Sequence, residues 1–384
     1  MKTRTSAEDE TGKAASLERR RFLQTAVGAG LALGAAAGES AAGQRLDKAN
    51  RIRVGLIGTD GHTDVLLGAI PRLAGVELVA FAKSRPEDDV SGLRRNKAFT
   101  EKTRIYDQFE PMLEKEELDV VGVCLPYYRN AQASQAAARR RIHIVSEKPL
   151  ATTLEDLAAL KKAVQESGVR LTSMMNMRCD PAYQAARKAV QKGLVGEPIL
   201  LTSQKSYRFG KERPWFYKDL KTYGGTIPWA GIHSVDYMRW ASGREYVQVS
   251  AWHGNKDHLD YPGFQDHAGV LFKLDNGGTA MSNLDYLRPE PALTHGDDRL
   301  RIAGSEGVLE VLGADNRVQL ITASSGSQTV ELPERVDFFA DFLAELRGER
   351  EHLISQRDAF RLTEICLIAR AAAETGKWMD IPAA

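Results

Sequence analysis

Three short stretches hold the residues with chemistry to offer. In "VGLIGTDGHTD" (54–64) an apolar strand runs into Gly58 in the manner of a dinucleotide loop, whose glycines fall at its first, third and sixth positions. Gly58 fills the first, but Asp60 and Thr63 take the third and sixth. A carboxylate there opposes a pyrophosphate, so the expected grip is a variant one. Gly58 allows the tight turn, and Gly61 restores freedom one position late. Asp60 caps a helix beginning near His62, while His62 and Thr63 offer side-chain donors and Thr59 lines the loop with them.

In "HIVSEKPLATT" (143–153) a strand ends directly in Glu147, Lys148 and Pro149. The proline restrains Lys148 to extended backbone, and a lysine at the carboxyl end of a buried strand can polarise an oxygen beside a cofactor. As a bare tripeptide it reads equally as a surface charge pair. Pro126 in "CLPYYRN" follows another strand and turns Tyr127, Tyr128 and Asn130 toward the same crevice. The second strand ends in "FAKSRPED", where NAD would call for an acidic residue. Lys83, Ser84 and Arg85 instead suit a 2′-phosphate and favour NADP, unless they form only a solvated basic turn.

The third stretch is "YGGTIPWAGIHSVDYMRWASG" (223–243). His233 lies near a helix start with Asp236 one turn on, a spacing that can couple a base to an orienting carboxylate or simply make neighbours. Upstream, Trp215 and Tyr217 in "RPWFY" offer faces for a sugar ring, and Arg178 can donate to a substrate oxygen or sit as a solvated hinge residue. The remaining histidines, among them His253, His258, His267, His295 and His352, have no ligand spacing, and no metal site is assigned.

Elements must place these residues. Nearly continuous apolar runs at 52–58, 76–82, 118–125, 142–146 and 169–173, separated by helical stretches such as 130–140 and 153–167, predict an α/β fold with a doubly wound parallel sheet. After Pro181 the pattern becomes a helix (181–192), a strand (198–208), a helix (230–242), repeated strands with turn signals (246–332) and two terminal helices (336–347 and 358–375). The predicted division is a dinucleotide-binding domain over 51–173 and a substrate and oligomerisation domain over 174–384, with a large, mostly antiparallel sheet.

A formal net charge of +1 excludes nucleic-acid binding driven by overall charge. No apolar run in the folded part is long enough to span a membrane. Cys124, Cys179 and Cys366 are odd in number and far apart, as core residues are. Residues 1–45 read as a leader: Arg19, Arg20, Arg21, Phe22 and Leu23 precede a glycine-rich apolar run, the twin-arginine export pattern. Ala35/Ala37 or Ser40/Ala42 bracket a cleavage site, which implies a periplasmic or otherwise exported protein with no membrane anchor after cleavage.

Together, the strand–Gly58 opening, "EKPLATT", "GG…GIHSVDYMRW", "DNGGTA", "RIAGSEGVLEV" and "AAAETGK" resemble the Gfo/Idh/MocA oxidoreductases over roughly Arg51 to Pro382. The resemblance implies a Rossmann domain followed by an α/β domain whose sheet serves oligomerisation, in a dimer or tetramer. It also implies a sugar or polyol substrate, Lys148 touching both nicotinamide and substrate, and His233 as acid/base. Many members carry an aspartate four residues before that histidine; here Trp229 stands there, where it can stack on a sugar ring. The leading expectation is an exported oxidoreductase holding NADP (or NAD) tightly enough to travel with the folded chain. A redox-neutral NAD-dependent glycosidase or lyase and a non-catalytic sugar-binding relative are the alternatives.

Overall fold

The computed structural model describes Arg51–Ala383; the leader expected over 1–45 lies outside these residues. Val54, Leu56 and Ile57 are wholly buried, as a strand covered on both faces requires. They belong to β1 (Ile52–Ile57), followed in chain order by β2 (Val76–Ala82), β3 (Arg104–Tyr106), β4 (Val120–Val123), β5 (His143–Ser146) and β6 (Leu171–Ser173). All pairings are parallel, and the spatial order is β3-β2-β1-β4-β5-β6. The order reverses between β1 and β4, which opens a crevice at their carboxyl ends.

Helix α1 (Asn130–Arg139) packs closely because its inward positions are small: Ala131, Ala133, Ala137 and Ala138. Helix α2 (Leu154–Ser167) is capped by Thr153, whose hydroxyl accepts from Asp156 N at 3.1 Å, and it ends at Gly168 with φ 71°. The short β3, polar and half-exposed, gave no apolar run to find in the sequence.

Helix α3 (Pro181–Gln191) leads into the second sheet through β7 (Pro198–Arg208). A π-turn over Ile227–Gly231 then opens helix α4 (Ile232–Ser242). The strands that follow are β8 (Tyr246–Gly254), β9 (His267–Leu274), β10 (Thr279–Arg288), β11 (Gly296–Gly304), β12 (Gly307–Leu312), β13 (Arg317–Thr322) and β14 (Gly326–Thr329). Helices α5 (Phe338–Leu346) and α6 (Gln356–Thr375) and the short β15 (Met379–Asp380) close the chain. The nine strands are ordered β14-β13-β12-β11-β7-β10-β9-β8-β15, antiparallel except for the β7–β10 pair.

One face of this sheet, through Leu201, Val249, Phe272, Leu284 and Leu300, packs under α3, α4 and α6. The other face shows Trp252 and Met281 to solvent. Helix α6 ties the two sheets together. The Thr363 hydroxyl accepts from Leu150 N at 3.4 Å, and Arg370 Nη1 donates to the Thr152 carbonyl at 3.0 Å and to the Gly224 carbonyl. All three cysteines are free and buried.

Candidate active site

The loop after β1 is shaped by its neighbours. Gly58 N donates to Ala82 O and Asp60 N to Cys124 O, both at 2.8 Å, so the chain bridges the ends of β2 and β4. Gly58 has φ 73°, and a Cβ there would overlap the Cys124 carbonyl. Gly61 has φ 98°, and its missing Cβ leaves room for the Glu147 carboxylate. Among the described residues, the amides of Thr59, Gly61 and Thr63 have no acceptor. Alternate N–H groups of the loop are thus available to phosphate oxygens.

Asp60 does not cap the following helix. The N-cap is Thr63, with no side-chain bond, and Asp60 Oδ2 instead accepts from Ser84 Oγ at 3.0 Å. The Asp60 backbone N–H is tied to Cys124 O at 2.8 Å and its carboxylate is turned to Ser84 at the end of β2, away from the helix start.

Glu147 links the loop to the lysine. Its Oε2 accepts from His62 N at 2.5 Å and faces His62 Nδ1 at 2.9 Å, while Oε1 accepts from Lys148 N at 2.8 Å. Burial pushes this carboxyl up, but His62 and Lys148 more than offset it and hold it below the ordinary range. His62 therefore serves the loop's shape through Glu147. The next peptide bond, Lys148–Pro149, is cis. Lys148 is buried; its Nζ donates to the Trp229 carbonyl at 2.9 Å and lies 3.1 Å from the centroid of the Trp229 ring. Burial brings its ammonium down to about 7, with Glu147 opposing the shift and Lys205 adding to it.

His233 enters from α4, its ring edge-on to His62 with centroids 5.7 Å apart. Burial, with Lys148 and Lys205 nearby, holds it well below the usual imidazole range, so the ring is neutral; its Nδ1 is buried without a hydrogen-bond partner. Asp236 does not orient it. Both Asp236 oxygens lie 3.0 Å from Arg178 Nε, and Oδ1 is 2.5 Å from Arg178 Nη2. Three residues on, about 60° round α4 from His233, Asp236 meets Arg178, which ties it to the start of α3 and, through Asp358, to α6. Arg178 is thereby withdrawn from any substrate, its guanidinium spent on the buried Asp236, the partly buried Asp358 and the Leu353 carbonyl.

The aromatic expectations also change. Tyr217 is buried, its hydroxyl 2.8 Å from that of Tyr127. Trp215 is half-exposed and meets Phe216 edge-on. Trp229 stacks on Tyr127 at 4.0 Å and carries Lys148 on its ring, so neither face is open to a sugar. Lys83 pairs with Asp107 at 2.9 Å and Arg85 with Asp88 at 2.8 Å, so neither cation expected to meet a 2′-phosphate is free of a carboxylate.

Against this geometry stand the relatives. A family model described as an oxidoreductase family with an NAD-binding Rossmann fold matches residues 52–175, and a GFO/IDH/MocA C-terminal domain matches 183–310. A solved oxidoreductase from Thermotoga maritima is 37% identical with a TM-score of 0.80, covering 86% of this chain and 100% of its own. The chain belongs to the Gfo/Idh/MocA family of NAD(P)-dependent oxidoreductases. Inositol 2-dehydrogenase of Rhizobium meliloti is 27% identical over 293 residues, 75% of this chain and 83% of that protein. The uncharacterized oxidoreductase YrbE of Bacillus subtilis is 29% identical over 210 residues, 53% of this chain, which spans only 58% of YrbE's length.

The groove of this Gfo/Idh/MocA protein fits a nicotinamide dinucleotide. The strand order, two glycines whose absent side chains clear the turn and the loop's unpaired amides all agree. Gly58, Thr59 and Gly61 follow β1, Pro126 follows β4 and the buried Glu147 follows β5, all at the carboxyl ends of the strands. A further residue, Lys205 on β7, escaped the sequence reading. It is buried, and its Nζ bonds Asp298 Oδ2 at 2.6 Å. The signal lay in the alternation Leu201, Ser203, Lys205, which puts a lysine on the core face of a strand.

Proposed function

We propose that this protein transfers hydride between a nicotinamide dinucleotide and a CH–OH carbon of a sugar or polyol, with Lys148 as the residue that takes or returns the hydroxyl proton. The observation that carries the reading is the buried Lys148, whose backbone amide is held by the same Glu147 carboxylate that braces the cofactor loop and whose ammonium stands near neutral His233. The bound nicotinamide accepts or supplies the hydride. Lys148 Nζ, brought to about 7, exists in both protonation states near neutrality and can receive a proton from an alcohol or give one to a ketone. Neutral His233, whose Nδ1 has no protein partner, supports a hydrogen bond to the same substrate oxygen. A substrate hydroxyl takes the place of the Trp229 carbonyl at Nζ. The match to an inositol 2-dehydrogenase supports a polyol or sugar as substrate class.

Replacing Lys148 by Met tests this. The variant binds NAD as the native protein does and loses activity by about 10²–10⁴-fold; unchanged turnover refutes the assignment.

The export pattern at Arg19–Leu23 supports a protein that leaves the cytoplasm folded, with its nucleotide retained, and works in the periplasm. Among the described residues no helix is long and apolar enough to cross a membrane. The exposed Trp252 and Met281 on the outer face of the second sheet support a homo-oligomer that covers them.

A further inference from the structure

We propose that Asp60 reads the adenosine ribose of the dinucleotide, and that this site therefore takes NAD and excludes NADP. The inference rests on the reading that the groove holds a nicotinamide dinucleotide. In a sheet of this order, an acidic side chain at the carboxyl end of the second strand takes the ribose hydroxyls. Here that end is Ala82-Lys83-Ser84, which has no carboxylate of its own. The first loop supplies one. Ser84 is buried, and its hydroxyl donates to Asp60 Oδ2 at 3.0 Å, bringing the loop's carboxylate to the end of β2.

Both partners are held. The Ser84 carbonyl accepts from Arg129 Nη1 at 2.7 Å, and Asp60 N is tied to Cys124 O at 2.8 Å. Asp60 Oδ1 has no hydrogen-bond partner among the described residues, which leaves an acceptor for a ribose hydroxyl. An aspartate at the loop's third position thus stops being a defect of the glycine pattern. It is the acidic residue that the second strand lacks, delivered from the neighbouring turn.

The same surroundings oppose a 2′-phosphate. Lys83 lies 2.9 Å from Asp107 and Arg85 2.8 Å from Asp88, so the cations of this turn are already paired. Arg129, which pairs with no carboxylate among the described residues, gives Nη1 to the Ser84 carbonyl and rests 5.8 Å from the centroid of the Phe109 ring. A phosphate ester entering here meets the Asp60 carboxylate first, and like charges at close range reject a ligand that the hydroxyl form satisfies.

Calorimetric titration of NAD and NADP into the nucleotide-free full-length protein tests the proposal. The native protein is expected to bind NAD at least about tenfold more tightly than NADP. Asp60→Asn keeps an acceptor for Ser84 but removes the charge, and narrows that ratio by about tenfold or more. Ser84→Ala, which releases the carboxylate from the strand end, narrows it less and serves if the first variant does not fold. Native protein that prefers NADP, or two variants that leave the ratio unchanged, overturns the assignment of Asp60. Native protein that binds neither nucleotide overturns the cofactor reading beneath it.

Discussion

Lys148 and Asp60 are displaced from their ordinary ionisation for the same reason, burial, and in the directions their charges dictate. For Lys148 the consequence is kinetic. With its ammonium near 7, alcohol oxidation rises with pH through about 7 as the amine becomes free to accept a proton, and ketone reduction falls through the same region. A pH profile of kcat/KM in each direction checks this, and Lys148→Met removes both limbs. For Asp60 the consequence is stability. Its carboxyl is pushed up to about 6, so between roughly 4 and 6 the folded chain keeps a proton that the unfolded chain releases. The stability this group contributes therefore declines as pH rises through that window. At neutral pH, Asp60→Asn is expected to stabilise the nucleotide-free protein by about 1–2 kcal/mol, read by chemical denaturation, a gain typical of removing a functional charge from a poorly solvated place.

At the scale of elements, the parts read most easily were those whose chemistry is continuous in sequence. Glu147, Lys148 and Pro149 follow an apolar strand without a break, so both their place and their grouping were visible. The pairing of His233 with Asp236 was misread because sequence spacing puts residues on a helix without saying what faces each side. Only the fold brings Arg178, 58 residues earlier, against Asp236. The same limit hid Lys205 and Asp298, which meet across the β7–β11 pairing. Two predictions belong here. Arg178→Met leaves the buried Asp236 carboxylate without its cation, while Asp358 keeps Arg239, and costs about 3–5 kcal/mol of stability, with KM for substrate unchanged in the protein that remains folded. Gly61→Ala places a methyl group on the Glu147 carboxylate at a positive φ, and weakens nucleotide binding by about tenfold or more in the titration described above.

At the scale of the whole molecule, the alternation of β and α units gave the first sheet, and the turn signals after residue 246 gave the mostly antiparallel second one. What they could not give is the strand order, since β7 pairs with β10 and β11, distant in sequence, and α6 crosses back to brace the cofactor sheet. That brace sits close to the chemistry, bonding Leu150 N and the Thr152 carbonyl just beyond Lys148. The outer face of the second sheet makes its own prediction: Trp252→Glu shifts the native mass toward the monomer in light scattering while nucleotide binding stays unchanged.

The most direct test of hydride transfer at Lys148 is the near-ultraviolet signal of reduced nicotinamide. It is followed when NAD-loaded native protein and the Lys148→Met variant each meet a panel of sugars and polyols. The account predicts reduction of the nucleotide by at least one of these alcohols in the native protein, and a rate lower by about 10²–10⁴-fold in a variant that still binds NAD. A variant as fast as the native protein would contradict it.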